Sequence, residues 1–487
     1  MDTLSPGRGA DISRTASLCL EERLVCRTGN PLTRRATNAT AAYNEPLARP
    51  GDGNGMRIVV TTAGSRGDVQ PCVALGLGLK EAGHEVTVAS WAPFRGLVEG
   101  RGLQFHPVAG PDPDRLMEAL LEAGRNPLRY ATTFRPLLRP HTEKGFHDCL
   151  AACRDADAVV YSPLGFAGYM AAEVLGVFAV GSVVEPLLIR SRSFPSAILG
   201  RPVGGAALVE APLVGSLYNH LSHLAVEQIY WRTVQPLVGD LRKKVGLPPM
   251  STLFGPLGRM HRERQPLLLG WSEHVLPRSP RQEAWMPTTG YWFLDHDRNW
   301  QPSEELRRFL DSGEPPVSLS LGSMSGIESA RTGRIATLTA EALKRAGSRG
   351  VLLSNHGSID GAGLPDGIVG VAGEVPYDWL FPRVAVAVHH GGAGTVAAAL
   401  RAGVPSVVIP LLPDQAFWAW RVAALGAGPA PIPPKQLTAE RLSAAILQAA
   451  TDPRMRRRCR LLKEKISAED GIGRAVEVLE LHVEGGR

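Results

Sequence analysis

The sequence predicts an α/β protein made of two Rossmann-like domains that face each other across a cleft. Two observations support this prediction: a strand–helix–strand pattern begins at Met56, and a new series of strands and helices begins near residue 315. In addition, 487 residues are too many for one ordinary hydrophobic core and suit two domains of about 200 residues each.

The first unit of this pattern follows Met56. "RIVVTTAG" is a β-branched run that predicts a strand, and "DVQPCVALGLGLKEAG" after it carries Val73 and Leu77 at helical spacing. Pro71 is placed in the first turn of this helix, and Gly83 ends it. "HEVTVAS" predicts the next strand, so the segment is the start of a doubly wound parallel sheet.

Further elements are predicted in both halves of the chain. Strands are expected at 158–162 and 178–183, and then at "PPVSLSLGSMSG", "GVLLSN", "IVGVAG", "VAVAVHH" and "SVVIP". Helices are expected at about 330–346, at "GTVAAALRAG" and at "AERLSAAILQAA". Residues 185–265 contain several leucines and aromatic residues, and we expect a long, less regular region there.

These patterns divide the chain into five parts. They are an extension at 1–55, an N-terminal Rossmann-like domain at 56–285, a linker at 286–312, a C-terminal Rossmann-like domain at 313–465 and a C-terminal helix at 466–487. The extension has no periodicity, and we expect it to be disordered or to reflect an overlong gene start before Met56. The C-terminal helix is a candidate to pack back on the N-terminal domain.

Composition disfavours several classes of function. The mixture of 44% hydrophobic and 21% charged residues is typical of a globular protein. The net charge of +6 comes with no basic tract interleaved with aromatics, so we expect no nucleic-acid partner.

Six cysteines without a CxxC or His/Cys cluster disfavour a disulfide framework and a zinc site, and we expect a cytoplasmic protein with reduced thiols. No apolar run reaches the roughly 18 residues of a membrane span. "RMRRRCR" at 454–460 is best explained as the solvated face of a helix, with a membrane-surface patch as the alternative.

The segment "HHGGAGT" carries the clearest chemical signal. A buried strand delivers His389 and His390 to a tight glycine turn, and a helix is predicted to begin near Ala393. Small residues allow the amides of Ala393, Gly394 and Thr395 to approach an anion, and a helix N-terminus carries about half a positive charge. The segment therefore predicts a diphosphate site, to which the ring of His390 would add a hydrogen bond.

Two other loops complete the predicted site, because parallel strands present their ligands at their carboxyl ends. Asp414 and Gln415 follow the strand "SVVIP", and an adjacent carboxylate and amide are suited to reading sugar hydroxyls. In the first half, "AGSRGDVQP" places Ser65, Arg66 and Asp68 between the first strand and its helix.

Five segments together resemble the GT-B nucleotide-sugar glycosyltransferases, specifically their sterol and natural-product branch. They are "GSRGDVQP", "LGSM", "VPYDWLFP", "HHGGAGT" and "DQAFW", and the likeness runs from Met56 to about Ala450. The resemblance implies that the C-terminal domain holds a nucleoside-diphosphate sugar and that the N-terminal domain binds the acceptor. The donor-binding residues that it implies are Ser65, Arg66, Gly322, Ser323, Val375, His390, Gly392, Ala393, Gly394, Thr395, Asp414 and Gln415.

The resemblance also implies a mechanism. Asp68 matches the general base, which accepts the proton of an acceptor hydroxyl while the oxygen attacks the anomeric carbon with inversion. The expected reaction moves a hexose, with glucose as the first choice, from a UDP- or TDP-sugar to a sterol, macrolide or other polyketide. No cofactor and no metal are expected, and peripheral membrane contact and a monomeric or homodimeric state are left open. Val375 would contact the base through its backbone, whereas Glu374 stands where many relatives have a base-stacking Trp, which leaves uridine and thymidine as alternatives.

Other interpretations stay in view. From the residues alone, Asp68 would be taken for a helix N-cap. Three Asp-x-Asp triplets could indicate a metal-dependent, single-domain glycosyltransferase, but their positions favour surface acids: Asp112/Asp114, Asp155/Asp157 and Asp295/Asp297. A glycolipid or cell-envelope glycosyltransferase is an alternative within the class, and a silent sugar-nucleotide-binding protein is another. An NAD(P)-dependent oxidoreductase is disfavoured because no strict GxGxxG follows either first strand.

Overall fold

The computed structural model describes residues 55–123, 127–162, 165–199, 212–278, 282–320, 329–354 and 364–486. Within these ranges the chain forms two parallel β-sheets flanked by helices. The predicted N-terminal extension, as well as Gly322 and Ser323 of the predicted donor site, lie outside the described residues.

The first sheet belongs to the N-terminal half. Its strands are β1 Arg57–Thr61, β2 Glu85–Trp91, β3 Gln104–Val108, β4 Ala158–Tyr161, β5 Phe178–Val183 and β6 Leu267–Leu269. They pair in parallel in the order β3-β2-β1-β4-β5-β6. The helices of this half are α1 Arg66–Glu81, α2 Arg95–Glu99, α3 Pro113–Ala123, α4 Pro127–Cys153, α5 Phe166–Leu175, α6 Pro212–Lys244 and α7 Gly255–Glu263.

The second sheet belongs to the C-terminal half. Its strands are β7 Val317–Ser320, β8 Gly350–Ser354, β9 Ile368–Ala372, β10 Val386–His389 and β11 Ser406–Val408, in the parallel order β11-β10-β7-β8-β9. The helices are α8 Glu304–Asp311, α9 Ser329–Ala346, α10 Tyr377–Leu380, α11 Ala393–Ala402, α12 Pro413–Ala424, α13 Ala439–Thr451, α14 Pro453–Ser467 and α15 Gly471–Gly486.

Burial explains why these segments are strands. Each residue of β4, β7 and β10 is buried, as expected for strands covered by helices on both faces of a parallel sheet. The predicted strands at 158–162, 178–183 and in "VAVAVHH" and "SVVIP" are confirmed to within a few residues. The predicted class, two Rossmann-like α/β domains, is confirmed as well.

Two local predictions were wrong. The region 185–265 contains α6, a helix of 33 residues. It shows no clear apolar stripe in the sequence because Leu213, Leu217 and Leu221 are 86%, 52% and 52% exposed on its outer face, while its buried inner face carries polar residues such as Glu227. Pro71 lies inside α1 rather than in its first turn, because α1 begins earlier, at a capping box on Ser65.

The C-terminal helix α15 lies against the N-terminal half. The His84 ring nitrogen Nε2 and Glu480 Oε1 are 3.0 Å apart, and Ile472 packs so closely on Gly78 of α1 that a Cβ there would overlap it. No helix in the described ranges is both long enough and apolar enough to cross a membrane.

Candidate active site

Asp68 is part of a capping box at the start of α1. Its Oδ2 accepts hydrogen bonds from the backbone N–H of Ser65 at 2.7 Å and from Ser65 Oγ at 3.0 Å, and Ser65 Oγ accepts from Gly67 N–H at 3.2 Å. Asp68 is therefore the third helical residue, and Ser65 is the N-cap. Gly64 permits this turn, since its φ is +126° and a Cβ there would lie 2.8 Å from Asp68 Cγ.

This arrangement orients the Asp68 carboxyl through one of its two oxygens. The capping bonds engage Oδ2, and no hydrogen bond from the described residues reaches Oδ1. Burial raises the pKa of Asp68, while the two hydrogen bonds from Ser65 oppose that shift. A raised pKa brings the carboxylate closer to the basicity that a proton acceptor needs near neutral pH.

Arg66 points from the N-terminal half to the C-terminal half. Its Nε donates to Gln70 Oε1 at 3.0 Å, and its Nη1 forms an ion pair with Glu374. Glu374 lies directly before Val375, the residue predicted to contact the base, which is half-buried. The structure thus brings Arg66 to the edge of the predicted nucleotide site, where its guanidinium is paired with the carboxylate of Glu374.

The glycine turn after β10 forms an open helix N-terminus, as predicted. Gly391 has a φ of +91°, and a Cβ there would lie 2.7 Å from Val408 Cγ1. Gly392 is the N-cap of α11 and supplies no side-chain cap, so the first amides of the helix, from Ala393 on, are left for another acceptor. A Cβ at Gly394 would meet nothing within 4 Å, which leaves room for a ligand at these amides.

The two histidines beside this turn differ. His389 Nδ1 accepts a hydrogen bond from Gly391 N–H at 3.1 Å, so this ring holds the turn. His390 is buried and its Nδ1 has no hydrogen-bond partner among the described residues. Burial lowers the pKa of His389 to about 3 and that of His390 to about 4. Both rings are neutral at neutral pH, and the single N–H of the His390 ring donates to the backbone carbonyl of Ser320, so this ring brings no charge to a phosphate.

The predicted pair Asp414 and Gln415 opens α12. Gln415 Oε1 accepts from the backbone N–H groups of Leu411 at 2.8 Å and Leu412 at 3.0 Å, so this oxygen shapes the loop and is not left for a sugar. The carboxyl of Asp414 is within the electrostatic influence of Asp68. Burial raises its pKa to about 6, helped by the charge of Asp68 and opposed by the backbone N–H groups of Asp414 and Gln415.

Thr395 belongs to a small cluster of hydroxyl groups. The hydroxyl of Tyr377 shares a hydrogen bond with Ser320 Oγ at the end of β7, and Thr395 lies within reach of the same hydroxyl. Ser320 directly precedes the predicted segment "LGSM". These contacts tie the start of α11 to the neighbouring strand β7.

Glu185 was not predicted as a site residue. It lies two residues beyond β5, and its pKa is raised well above the usual range by burial and by the charges of Asp414 and Asp68. The charges of Asp414 and Asp68 thus act on Glu185, and three carboxyl groups from both halves of the chain lie in one neighbourhood. The sequence contains a signal for Glu185, an acid placed just after an apolar strand in "VGSVVEP".

The Asp-x-Asp triplets have local partners. Asp112 accepts from Asp114 N–H at 2.9 Å, Asp157 accepts from Arg57 N–H at 2.8 Å, and Asp295 pairs with Arg401. In the described part of the chain, no three His, Cys, Asp or Glu side chains are grouped so that they could hold a metal ion.

Family comparisons agree with this geometry. The model of the glycosyltransferase family 28 N-terminal domain matches residues 58–179, and that of the erythromycin biosynthesis protein CIII-like C-terminal domain matches residues 351–479. The first range holds the Asp68 loop, and the second holds the glycine turn and Asp414.

Two curated relatives extend the likeness along the chain. The O-mycaminosyltylonolide 6-deoxyallosyltransferase of Streptomyces fradiae is 36% identical over 87% of this chain and 97% of its own length. A sterol 3-beta-glucosyltransferase of Pichia angusta is 32% identical over 88% of this chain. The matched part is only 34% of the length of that relative.

Solved structures share the fold. A calicheamicin glycosyltransferase, CalG4, covers 89% of this chain with a TM-score of 0.63 and 20% identity. The glycosyltransferase VinC, solved in complex with dTDP, covers 88% with a TM-score of 0.62 and 21% identity. The two parallel sheets, the paired family models and the full-length match to the Streptomyces fradiae enzyme show that this chain belongs to the GT-B glycosyltransferases, in the branch that contains macrolide and sterol glycosyltransferases.

Proposed function

We propose that this glycosyltransferase moves a hexose from a nucleoside diphosphate to a hydroxyl of a lipophilic acceptor, with Asp68 as the general base. The observation that carries the proposal is that the two loops meet: Arg66, two residues before Asp68, forms an ion pair with Glu374 of the C-terminal half, and the charge of Asp68 adds to the raised pKa of Asp414. The proposed base of one half of the chain would thus act beside the proposed sugar-binding carboxyl of the other.

The reaction would proceed in a single displacement. The acceptor oxygen attacks the anomeric carbon, its proton passes to Asp68, and the bond from the anomeric carbon to the diphosphate oxygen breaks. The leaving diphosphate takes up the negative charge, which the open amides of α11 stabilise. Attack opposite to the leaving group inverts the anomeric configuration.

Donor recognition would use the loops around α10 and α11. Ala393, Gly394 and Thr395 offer amides to the diphosphate, and Val375 offers its backbone to the base. UDP and TDP sugars both suit this description, and the relative VinC was solved with dTDP. Glucose is the proposed hexose because the sterol relatives are named as glucosyltransferases.

Acceptor recognition would use the N-terminal half. A cavity of about 270 Å³ lies beyond β5 and β6, and its lining combines the apolar side chains of Phe194, Trp271 and Met286 with arginine, histidine and glutamate side chains. The Phe194 ring contacts Phe417 of α12, with ring centroids 6.0 Å apart, which links this cavity to the loop of Asp414. A macrolide or a sterol is the proposed acceptor, after the names of the relatives, and a cytoplasmic location is part of the proposal.

The test is a screen of UDP- and TDP-hexoses against sterols, macrolides and other polyketides, read as a mass increase of one hexose. We expect product with at least one pair and none with the Asp68→Asn variant. A screen without product, in a preparation that binds NAD(P)H, would instead support the oxidoreductase interpretation.

A further inference from the structure

Glu185 is an acid of the cleft that the proposed mechanism does not use. In the paired register, Thr61 of β1, Tyr161 of β4 and Gly181 of β5 lie side by side. The loops that follow these strands therefore open at one edge of the sheet, where β1 leads to Asp68 and β5 leads to Glu185. This edge belongs to the half of the chain that would bind the acceptor.

The three carboxyls of the cleft differ in what stabilises their charge. Asp68 accepts two hydrogen bonds from Ser65 at the start of α1, and Asp414 accepts from backbone N–H groups at the start of α12. A helix N-terminus favours the ionised form of both. Glu185 lies in a loop, and neither a hydrogen-bond donor nor an Arg or Lys partner reaches its carboxyl within the described ranges.

Burial is the main cause that favours the protonated form of Glu185, and the nearby charges of Asp414 and Asp68 add to it. The charged groups that act on Glu185 are Asp414 on α12 and Asp68 on α1, and the thiol of Cys72 is a further neighbour of Asp68. Cys72 adds no charge, because burial raises the pKa of its thiol to about 12. Glu185 keeps its proton because, unlike Asp68 and Asp414, it has in the described part of the chain neither hydrogen-bond donors nor a helix N-terminus to stabilise its ionised carboxylate.

We propose that Glu185 is a positioning and specificity residue of the acceptor site: its carboxyl stays protonated and donates a hydrogen bond to a second acceptor oxygen, adjacent to the reacting hydroxyl. This bond would hold the reacting hydroxyl toward Asp68, which remains the ionised base. The inference rests on the proposed function and narrows the acceptor to a class, namely polyoxygenated molecules with a diol or hydroxyketone at the site of transfer. A site built to donate a hydrogen bond discriminates against an acceptor that lacks the oxygen.

The first experiment needs no substrate. Carbon-13 labelling of glutamate carboxyls, with assignment by the Glu185→Gln variant, follows the titration of this one group. We expect a midpoint above that of the exposed glutamates, whereas a midpoint at their ordinary value would overturn the proposal. This titration tests the protonation of Glu185 even if the screen finds no transferase activity. A negative screen would then count against the proposed function and not against the protonation of Glu185.

The second experiment compares acceptors. The active acceptor from the screen is paired with its analogue lacking the neighbouring oxygen. Glu185→Leu should raise KM for the intact acceptor by about three- to tenfold, the loss of one hydrogen bond, with little change in kcat and no change for the analogue. Glu185→Gln keeps a donor and should restore the parent KM, and its KM should no longer rise at alkaline pH.

The control is Glu81→Gln, at the exposed far end of α1, which should leave the kinetic constants and the pH profile unchanged. Thermal melting of each variant separates loss of fold from loss of positioning. If Glu185→Gln lost kcat as severely as Asp68→Asn, or if Glu185→Leu left KM unchanged for both acceptors, Glu185 would not be this positioning residue.

Discussion

Arg66 of the N-terminal half forms an ion pair with Glu374 of the C-terminal half, at the edge of the proposed nucleotide site. Both side chains are partly exposed, at 41% and 63%, so water screens the pair and its contribution to stability is small. The ion pair matters for ligand binding instead, because the guanidinium of Arg66 has to separate from Glu374 before it can pair with a diphosphate.

We therefore expect Glu374→Gln to tighten nucleoside-diphosphate binding. Removing a competing exposed carboxylate should lower Kd by up to about fivefold, the range of an exposed ion pair. Isothermal titration with UDP and TDP measures the effect, and Arg66→Ala, which removes the cation itself, should weaken binding of both. Weaker binding by Glu374→Gln would indicate that Glu374 contacts the nucleotide directly.

Asp68→Asn should separate catalysis from folding. An asparagine side-chain oxygen can still accept from Ser65 N–H, so we expect the capping box and the melting temperature to be largely kept. Loss of the proton acceptor should lower kcat by about 10²- to 10⁴-fold, while UDP affinity stays near that of the parent. Turnover by the variant at the parent rate would remove Asp68 from the role of base.

The pH dependence of stability should report on Asp414. Its pKa rises from 3.8 in the unfolded chain to about 6 in the folded one, so the native state binds this proton more tightly. The free energy of unfolding that this group contributes therefore falls as pH increases from about 4 to about 6. Asp414→Asn should be more stable than the parent at pH 7 and similar at pH 4, as measured by urea denaturation.

The same variant separates stability from function. Asp414→Asn should bind UDP as the parent does but lose affinity for the intact sugar donor, since the proposed contact is to the hexose. Equal stability of the two proteins at pH 7 would contradict the assigned burial of this carboxyl.

Gly394→Ala should weaken donor binding without harming the fold. A methyl group at this position meets no protein atom within 4 Å and improves helix propensity, so stability should hold or rise by up to about 1 kcal/mol. The methyl group would occupy the space in front of the open amides of α11, so Kd for UDP should rise.

Gly239→Ala is the matched control, because this glycine lies in α6 with nothing within 4 Å and far along the sequence from the glycine turn. It should leave UDP affinity unchanged. Gly391→Ala, by contrast, should destabilise the protein by about 1–2 kcal/mol, since its φ of +91° disfavours a side chain. If Gly394→Ala and Gly239→Ala bound UDP alike, the diphosphate would lie elsewhere.

The sequence alone was sufficient where local signals agree with the fold. Runs such as "AVV" in β4 and "VAV" in β10 are apolar, short and rich in β-branched residues, which favours buried strands. The start of α11 at Ala393 and its end at Gly403 follow from glycine turn chemistry. The long helix α6 was missed because its outer face is apolar, which removes the contrast on which periodicity depends.

The sequence by itself thus determined two parallel α/β domains, the helix N-terminus offered to an anion, and the identity of Asp68 as an acid beside a strand end. Only the tertiary structure decided which groups meet. It assigned Gln415 Oε1 to the backbone of its own loop, joined Arg66 to Glu374 and placed Glu185 beside Asp68 and Asp414. These relations link residues up to 308 positions apart. They arise because parallel sheets gather distant strand ends at one edge, a constraint that no local sequence pattern records.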